Sequence, residues 1–131
     1  MTKITYDEGK LTMRFDGHAG AGEKGSDLVC AGVSTLTGTL RAMCEMCEEE
    51  LVPTIFFGDA LCEVTLEPEE EYRANAIIVL RTVCAGCCVL AQTYPENVQV
   101  ELKNEETLSD SSPIRGTKEE ARGSQREGKE I

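Results

Sequence analysis

Hydrophobic and polar residues alternate near the start of the chain, on either side of a short polar segment. Ile4–Tyr6 and Leu11–Phe15 flank the turn-forming residues 7–10, which predicts a β-hairpin. Every other residue of the second strand is apolar, so one face of that strand is apolar and the other polar. His18, the single histidine of the chain, continues the polar face if the strand persists. The alternation therefore predicts that His18 lies outside the core.

Two longer segments carry apolar residues at steps of three and four, which is typical of helices that bury one face. The first helix is predicted to begin at the capping residues Ser26 or Asp27 and to end near Glu50. Its apolar stripe is Val29, Val33, Leu36, Leu40, Met43 and Cys47. The second is predicted to begin at Pro68, which precedes three glutamates, and to end near Tyr94. Its stripe is Ala76, Leu80, Val83, Cys87 and Ala91.

Three further segments are predicted to be strands. Thr54–Phe57 and Ala60–Leu66 are separated by the turn residues Gly58 and Asp59, and Val98–Leu102 follows the second helix. The resulting order, ββαββαβ, predicts an α+β fold. We expect a two-layer sandwich in which two helices pack on one mostly antiparallel sheet.

The periodic pattern stops at residue 103, which divides the chain into two parts. Residues 1–103 are long enough for one domain with a single core. Residues 104–131 are rich in charges, glycine and serine, and such a segment cannot bury enough apolar area to offset the entropy of ordering it. We therefore predict a disordered charged tail.

The chain has a formal charge of −11. Most of that charge lies in residues 1–102, which contain 17 acidic and 7 basic residues and so carry −10. This excludes generic nucleic-acid binding, which needs clustered lysine and arginine. It would suit a basic partner, although net charge also serves solubility alone. Seven cysteines without an apolar targeting segment indicate a reducing cytosol. No uninterrupted apolar run reaches the roughly 18 residues of a membrane span.

The candidate chemistry lies between the hairpin and the first helix. His18 precedes Cys30 by twelve residues, and the predicted helix start places Cys30 on its first turn, where the helix dipole favours a thiolate. A thiol and an imidazole are sufficient for nucleophilic attack on a carbonyl, with His18 as general base and acid. The intervening loop could open for an extended peptide; its residues are Ala19, Gly20, Ala21, Gly22, Glu23, Lys24 and Gly25.

No third catalytic residue is evident from the pattern. Asp16 lies two residues before His18 on the same strand face and is one candidate to orient the imidazole. Asp27 caps the helix in this interpretation, and Ser34 follows Cys30 by one turn on the same helical face. Both could equally make only local hydrogen bonds. Backbone N–H groups near Cys30 are the expected oxyanion donors.

Two other motifs allow different functions. Gly20–Gly25 fits G-x-G-x-x-G, but the strands around it are predicted to be antiparallel, which disfavours a dinucleotide site. Cys44 and Cys47, together with the second-helix cysteines 84, 87 and 88, provide enough thiols for zinc. Because these cysteines fall partly on the apolar stripes of helices, filling the core is the simpler interpretation. We expect no metal and no cofactor.

The motif around His18 and Cys30 resembles that of the ribosomal-processing cysteine proteases called Prp. The shared elements, in register, are Gly17-His18-Ala19-Gly20, Glu23-Lys24-Gly25, Asp27-Leu28-Val29-Cys30-Ala31 and Ser34. A weaker resemblance extends over residues 2–102. Family members often have an aromatic residue followed by alanine where this chain has Ala21-Gly22, which bears on substrate affinity.

The resemblance implies a cysteine endopeptidase in which Cys30 is the nucleophile and His18 the base, supported by Gly17, Asp27 and Ser34. It implies that the substrate is the N-terminal extension of large-subunit ribosomal protein twenty-seven. It also implies a homodimer in the cytoplasm, without nucleic acid or membrane as a direct partner. Two alternatives stay open: a non-catalytic ribosome-associated interaction protein, and a zinc-binding module built on the paired cysteines.

Overall fold

The structure, a computed structural model, describes residues 1–17 and 24–104. Its elements, in chain order, are β1 (Thr2–Asp7), β2 (Thr12–Asp16), α1 (Lys24–Met46), α2 (Glu48–Leu51), β3 (Pro53–Gly58), β4 (Leu61–Leu66), a 3₁₀ turn (Glu70–Tyr72), α3 (Arg73–Thr93) and β5 (Val98–Lys103). His18, loop residues 19–23 and the predicted tail from residue 105 onward lie outside the described residues.

The strands form one five-stranded sheet in the order β3-β4-β2-β1-β5. β1 with β2, β2 with β4, and β3 with β4 pair antiparallel, whereas β1 and β5 pair parallel. The parallel pair follows from the connection, because α3 carries the chain back to the end of the sheet where β1 begins. The predicted α+β class, with a mostly antiparallel sheet and two long helices, is confirmed.

The core lies between one face of the sheet and the two long helices. Alternation in β2 is as predicted: Met13 and Phe15 are buried, while Arg14 is partly exposed and Asp16 exposed. The helices run antiparallel, since a Cβ on Gly32 would lie 3.0 Å from Leu90 and one on Gly86 would lie 2.6 Å from Leu36. The fully or nearly buried residues contributed by α1 and α3 are Val29, Leu40, Cys44, Ala76, Leu80, Val83, Cys84 and Cys87.

A partly buried carboxylate joins α3 to the turn after β1. Glu8 accepts two hydrogen bonds from Arg81, at 2.8 Å from Nε and 2.7 Å from Nη2, and a third from the Tyr6 hydroxyl at 2.8 Å. Burial alone would raise the pKa of Glu8, but the hydrogen bonds and charge of Arg81 outweigh it and lower that pKa. Burial, and then the charge of Glu8, raise the pKa of Tyr6. This network fixes α3 at one end of the sheet.

The first helix differs from its predicted bounds at both ends. It begins at Lys24, so Ser26 and Asp27 lie inside its first turn instead of capping it, and the loop is shorter by Lys24 and Gly25. The difference arises because the first turn of a helix needs no intrahelical partners for its N–H groups, so glycine and polar residues are tolerated there. At the other end the helix breaks at Cys47. The short α2 ends at Leu51, and the residue that caps it, Val52, adopts φ +47° before Pro53.

Two smaller boundaries also differ from the predictions. The second long helix was expected to begin at Pro68, but a 3₁₀ turn over residues 70–72 precedes α3, which begins at Arg73. The fourth strand begins at Leu61 instead of Ala60, because Ala60 adopts φ +55° within the turn. A left-handed residue cannot continue a pleated strand.

Helix α3 and the turn before it form an unusually apolar segment. The segment Glu70–Thr93 is long and apolar enough to cross a bilayer by length and composition, with a mean hydropathy of 1.9 over its best window. Isolated polar residues such as Arg81 and Thr82 divide it into short apolar runs, yet its average hydropathy stays high. The same segment provides α3, whose buried face packs into the core, and a core helix satisfies the same criteria.

Candidate active site

The topology brings Cys30 to the end of the domain at which β2 delivers the chain to His18. Thr2, at the start of β1, donates its backbone N–H to the Asn97 carbonyl over 2.8 Å, just before β5 begins. That same end of the sheet follows the end of α3, and the antiparallel packing of α1 on α3 places the start of α1 there. Gly17, which directly precedes His18, therefore lies at the same end as Cys30.

Gly17 is held by three neighbours from other parts of the chain. Its N–H donates to the Ala60 carbonyl over 2.8 Å, and its own carbonyl accepts a hydrogen bond from the Thr2 hydroxyl at 3.5 Å. Its φ is +96°, and a Cβ at this position would lie 2.5 Å from the Met1 carbonyl oxygen. Only glycine combines this dihedral with so close an approach of a neighbouring backbone. The glycine of the motif thus sets the direction in which the chain leaves β2 towards His18.

Cys30 lies on the second turn of α1 instead of the predicted first turn, because the helix begins at Lys24. It follows the fully buried Val29 and is itself partly buried and packed against the hydrophobic core. The influence of a helix N-terminus fades beyond the first turn. Activation of the thiol at this position therefore depends more on a neighbouring base than the sequence suggested.

The remaining predicted site residues are distributed as follows. Ser34 is exposed one turn after Cys30, on the same face of α1. Asp16 is exposed at the end of β2, with an oxygen 3.5 Å from a guanidinium nitrogen of Arg14. Asp27 lies within the first turn of α1. The position of His18 relative to these groups lies outside the described residues, so its role as base stays a prediction.

Sequence reasoning missed the residues that hold Gly17. Thr2 is only 1% exposed despite its hydroxyl, and Ala60 adopts an unusual positive φ while its carbonyl receives the Gly17 N–H. Both are distant in sequence from the motif, and neither is a residue type with evident chemistry. The buried hydroxyl at Thr2 left no signal in a strand pattern, since threonine is common in strands.

The other cysteines behave as core residues. Burial, with Cys62 and Cys47 nearby, raises the pKa of Cys44 to about 11, and burial raises that of Cys87 to about 12. A hydrogen bond from Cys84 to Cys88 raises the pKa of Cys84 and lowers that of Cys88. Cysteine binds a metal ion as the thiolate. Burial that keeps a thiol protonated therefore opposes metal binding. Within residues 1–17 and 24–104, no group of three or more histidine, cysteine or acidic side chains is arranged to hold a metal ion.

The described strands also disfavour a dinucleotide site. Such a site needs a βαβ unit whose two strands lie in one mostly parallel sheet. The strand before α1 and the strand after it both pair antiparallel with β4, and they are not neighbours in the sheet.

Comparisons with known proteins cover most of the chain. A sequence model of the family described as cysteine protease Prp matches residues 1–99. A relative from Staphylococcus aureus, named ribosomal processing cysteine protease Prp, is 32% identical over 99 residues, which cover 74% of this chain and 92% of the relative.

Two crystal structures of an essential ribosomal processing protease Prp from S. aureus share this fold. The one with a covalently linked product peptide has a TM-score of 0.64 and 27% identity, covering 79% of this chain and 100% of that chain. The one with a substrate peptide has a TM-score of 0.61 and 26% identity, with the same two coverages. Both structures of that protein contain a peptide, which is covalently linked in the first.

Proposed function

Because this chain belongs to the Prp family of cysteine proteases, we propose that it is the endopeptidase that removes the N-terminal extension of large-subunit ribosomal protein twenty-seven during ribosome assembly. The relative from S. aureus is named for ribosomal processing, and the motif that resembles the family's extends here from Gly17 to Ser34. The acidic body of this chain suits a basic ribosomal protein as its partner. The enzyme acts in the cytoplasm as a homodimer.

In the proposed mechanism Cys30 is the nucleophile and His18 the general base. The imidazole takes the thiol proton as the sulfur attacks the carbonyl carbon of the scissile peptide bond. The C–N bond then breaks, and the imidazolium gives its proton to the departing amine. Water, deprotonated by His18, hydrolyses the thioester, which releases the new carboxyl end and regenerates the thiol. Backbone N–H groups near Cys30 stabilise the oxyanion.

The observation that best supports this assignment is the shared location of Cys30 and Gly17 at one end of the domain. Gly17, the residue before His18, is held by its positive φ and by its hydrogen bond to the Ala60 carbonyl. Cys30 is partly buried at the start of α1, which suits a nucleophile that must contact substrate yet stay on a rigid element. Ser34 is positioned one turn away to assist binding or orientation.

The test is incubation of the full-length chain with the extended form of ribosomal protein twenty-seven, followed by mass spectrometry of the products. We expect one cut in the N-terminal extension with the unaltered enzyme. We expect none with Cys30→Ser or His18→Ala, provided that both variants keep the melting temperature of the unaltered chain. A cut made by Cys30→Ser would refute the nucleophile, and no cut by any form would refute the substrate.

A non-catalytic ribosome-associated interaction protein is the alternative, because an acidic body would also suit a basic partner without any catalysis. The two differ in the reactivity of Cys30 towards iodoacetamide. A catalytic thiol next to a base is alkylated much faster than Cys47, which is also partly buried. Equal rates for these two thiols, measured by peptide mapping, would favour the alternative.

A further inference from the structure

One edge of the sheet leaves apolar side chains in the open. β3 is an edge strand, and four of its six residues are exposed. Phe57 and Ile55 pair with Cys62 and Val64 of β4, both of which are buried under the helices. Since directly opposed residues of antiparallel strands point to the same face, Phe57 and Ile55 point to the helix side. They stay 62% and 39% exposed because α1 leaves this strip of the face uncovered.

A groove runs between α1 and this strand. It has a volume of about 630 Å³, and its lining includes Gly38, Arg41, Glu45, Glu48, Pro53 and Ile55. A Cβ on Gly38 would meet nothing within 4 Å, so the missing side chain keeps the groove open. The guanidinium of Arg41 lies 4.4 Å from the centroid of the Phe57 ring. This cation–π contact holds the ring against the helix, two residues along β3 from the groove residue Ile55.

The stripe of α1 that lines the groove at Gly38, Arg41 and Glu45 continues along the helix to Cys30. Cys30, Ser34, Gly38, Arg41 and Glu45 follow one another at steps of three or four residues, which places them on a single helical stripe. All but Cys30 are exposed. The eleven residues from Cys30 to Arg41 correspond to about 16 Å of helix, and about five residues of extended peptide span that distance.

We propose that the substrate peptide of this protease binds in the α1–β3 groove as an added strand on the edge of β3. Its alternate apolar side chains contact Phe57 and Ile55, at least about five residues from the scissile bond. An edge strand beside a helix binds extended peptides in this way, because its free backbone groups pair with the peptide while the helix and strand form pockets for alternate side chains. Glu45 and Glu48 favour basic side chains at the far end of the peptide. This proposal rests on the proposed function.

The test uses a synthetic peptide that spans the cleavage site of extended ribosomal protein twenty-seven, with binding measured on Cys30→Ser and turnover on otherwise unaltered enzyme. Phe57→Ala should weaken binding by about five- to twentyfold, as loss of an aromatic anchor does. Gly38→Leu should weaken it by about tenfold or more, while the melting temperature rises because leucine favours helix over glycine. A variant that stabilises the fold yet impairs binding separates the groove from any general damage.

Phe56→Ala is the matched control. Phe56 is the same residue type on the same strand and is 56% exposed, but it is opposite Glu63 and points to the other face. The affinity of Phe56→Ala for the peptide should stay within about twofold of that of the enzyme with Phe56 in place. Trimming the peptide to fewer than about five residues on the side that follows the groove should abolish the Phe57 effect.

The outcomes are distinguishable. If the unaltered enzyme does not cleave the peptide, the proposed substrate is wrong and the groove proposal is refuted with it. If it cleaves the peptide but Phe57→Ala and Gly38→Leu bind it normally, only the groove proposal is wrong. If Phe57→Ala instead changes the sedimentation coefficient and leaves binding intact, the edge contacts a second copy of this chain, which also overturns the proposal.

Discussion

Replacing Gly17 by alanine tests whether the residue before His18 is held as the structure indicates. Its φ of +96° is a backbone conformation that is strained for any residue with a side chain. The new Cβ would also lie 2.5 Å from the Met1 carbonyl oxygen. A residue held in such a backbone region costs about 1–3 kcal/mol. Moving Met1 away would also disturb the start of β1, where the Thr2 hydroxyl contacts Gly17. We expect a net loss of about 2 kcal/mol, after the smaller entropy of unfolded alanine is allowed for.

For a domain of this size, that loss corresponds to a melting temperature lower by about 8–16 °C. The matched control is Ala60→Gly, at the other end of the same hydrogen bond. Ala60 adopts φ +55°, so glycine should keep its stability or raise it by up to about 1 kcal/mol. Calorimetry gives the stabilities, and peptide cleavage should fall far more for Gly17→Ala than its unfolded fraction explains. Equal stability and activity of Gly17→Ala and the unaltered chain would refute the anchoring of His18 by Gly17.

Three further predictions concern the rest of the chain. Arg81→Met should lower the free energy of unfolding by about 1 kcal/mol at pH 7. Because the pKa of Glu8 is lowered in the fold, the stabilising contribution of Glu8 is present above about pH 4.5 and is lost below it. The denaturation curves of Arg81→Met and the unaltered chain should therefore converge in acid, and a difference that persists there would contradict the role of the Glu8–Arg81 network. Cys44→Ala and Cys84→Ala should each cost about 1 kcal/mol with cleavage retained, whereas loss of stoichiometric zinc from either variant would contradict their role as core residues. Truncation after Asn104 should leave melting temperature, oligomeric state and cleavage rate unchanged, and a large drop in any of them would show that the tail is structural.

The fold could be predicted largely from the sequence because its helices and most of its strands bury one face. The stripes through Leu40 and Leu80 and the alternation through Met13 locate α1, α3 and β2, and all three residues are buried. β3 shows where such patterns fail. Its apolar residues resemble those of a core strand, yet Phe56 and Phe57 are exposed, since pattern alone does not reveal that the strand lies at an edge.

The sequence predicts the chemistry of the candidate site but not the contacts that hold it. The positions of the histidine and cysteine and the glycine before them follow from a local motif, whereas the contacts of Gly17 with Thr2 and Ala60 come from distant strands. The helix start was misplaced, because a polar residue such as Asp27 is equally acceptable before a helix and in its first turn. As a result Cys30 lies one turn further from the helix end than predicted.

The most direct test of the central claim is to trap the covalent intermediate. Full-length enzyme and the ribosomal protein twenty-seven peptide are mixed, quenched in acid within the first turnover, and digested for mass spectrometry. Catalysis through Cys30 predicts the acyl part of the peptide on the tryptic fragment that contains Cys30, and a Cys30→Ala control without the adduct. An adduct on Cys47 or Cys88, or cleavage that persists without Cys30, would contradict the assignment of Cys30 as nucleophile.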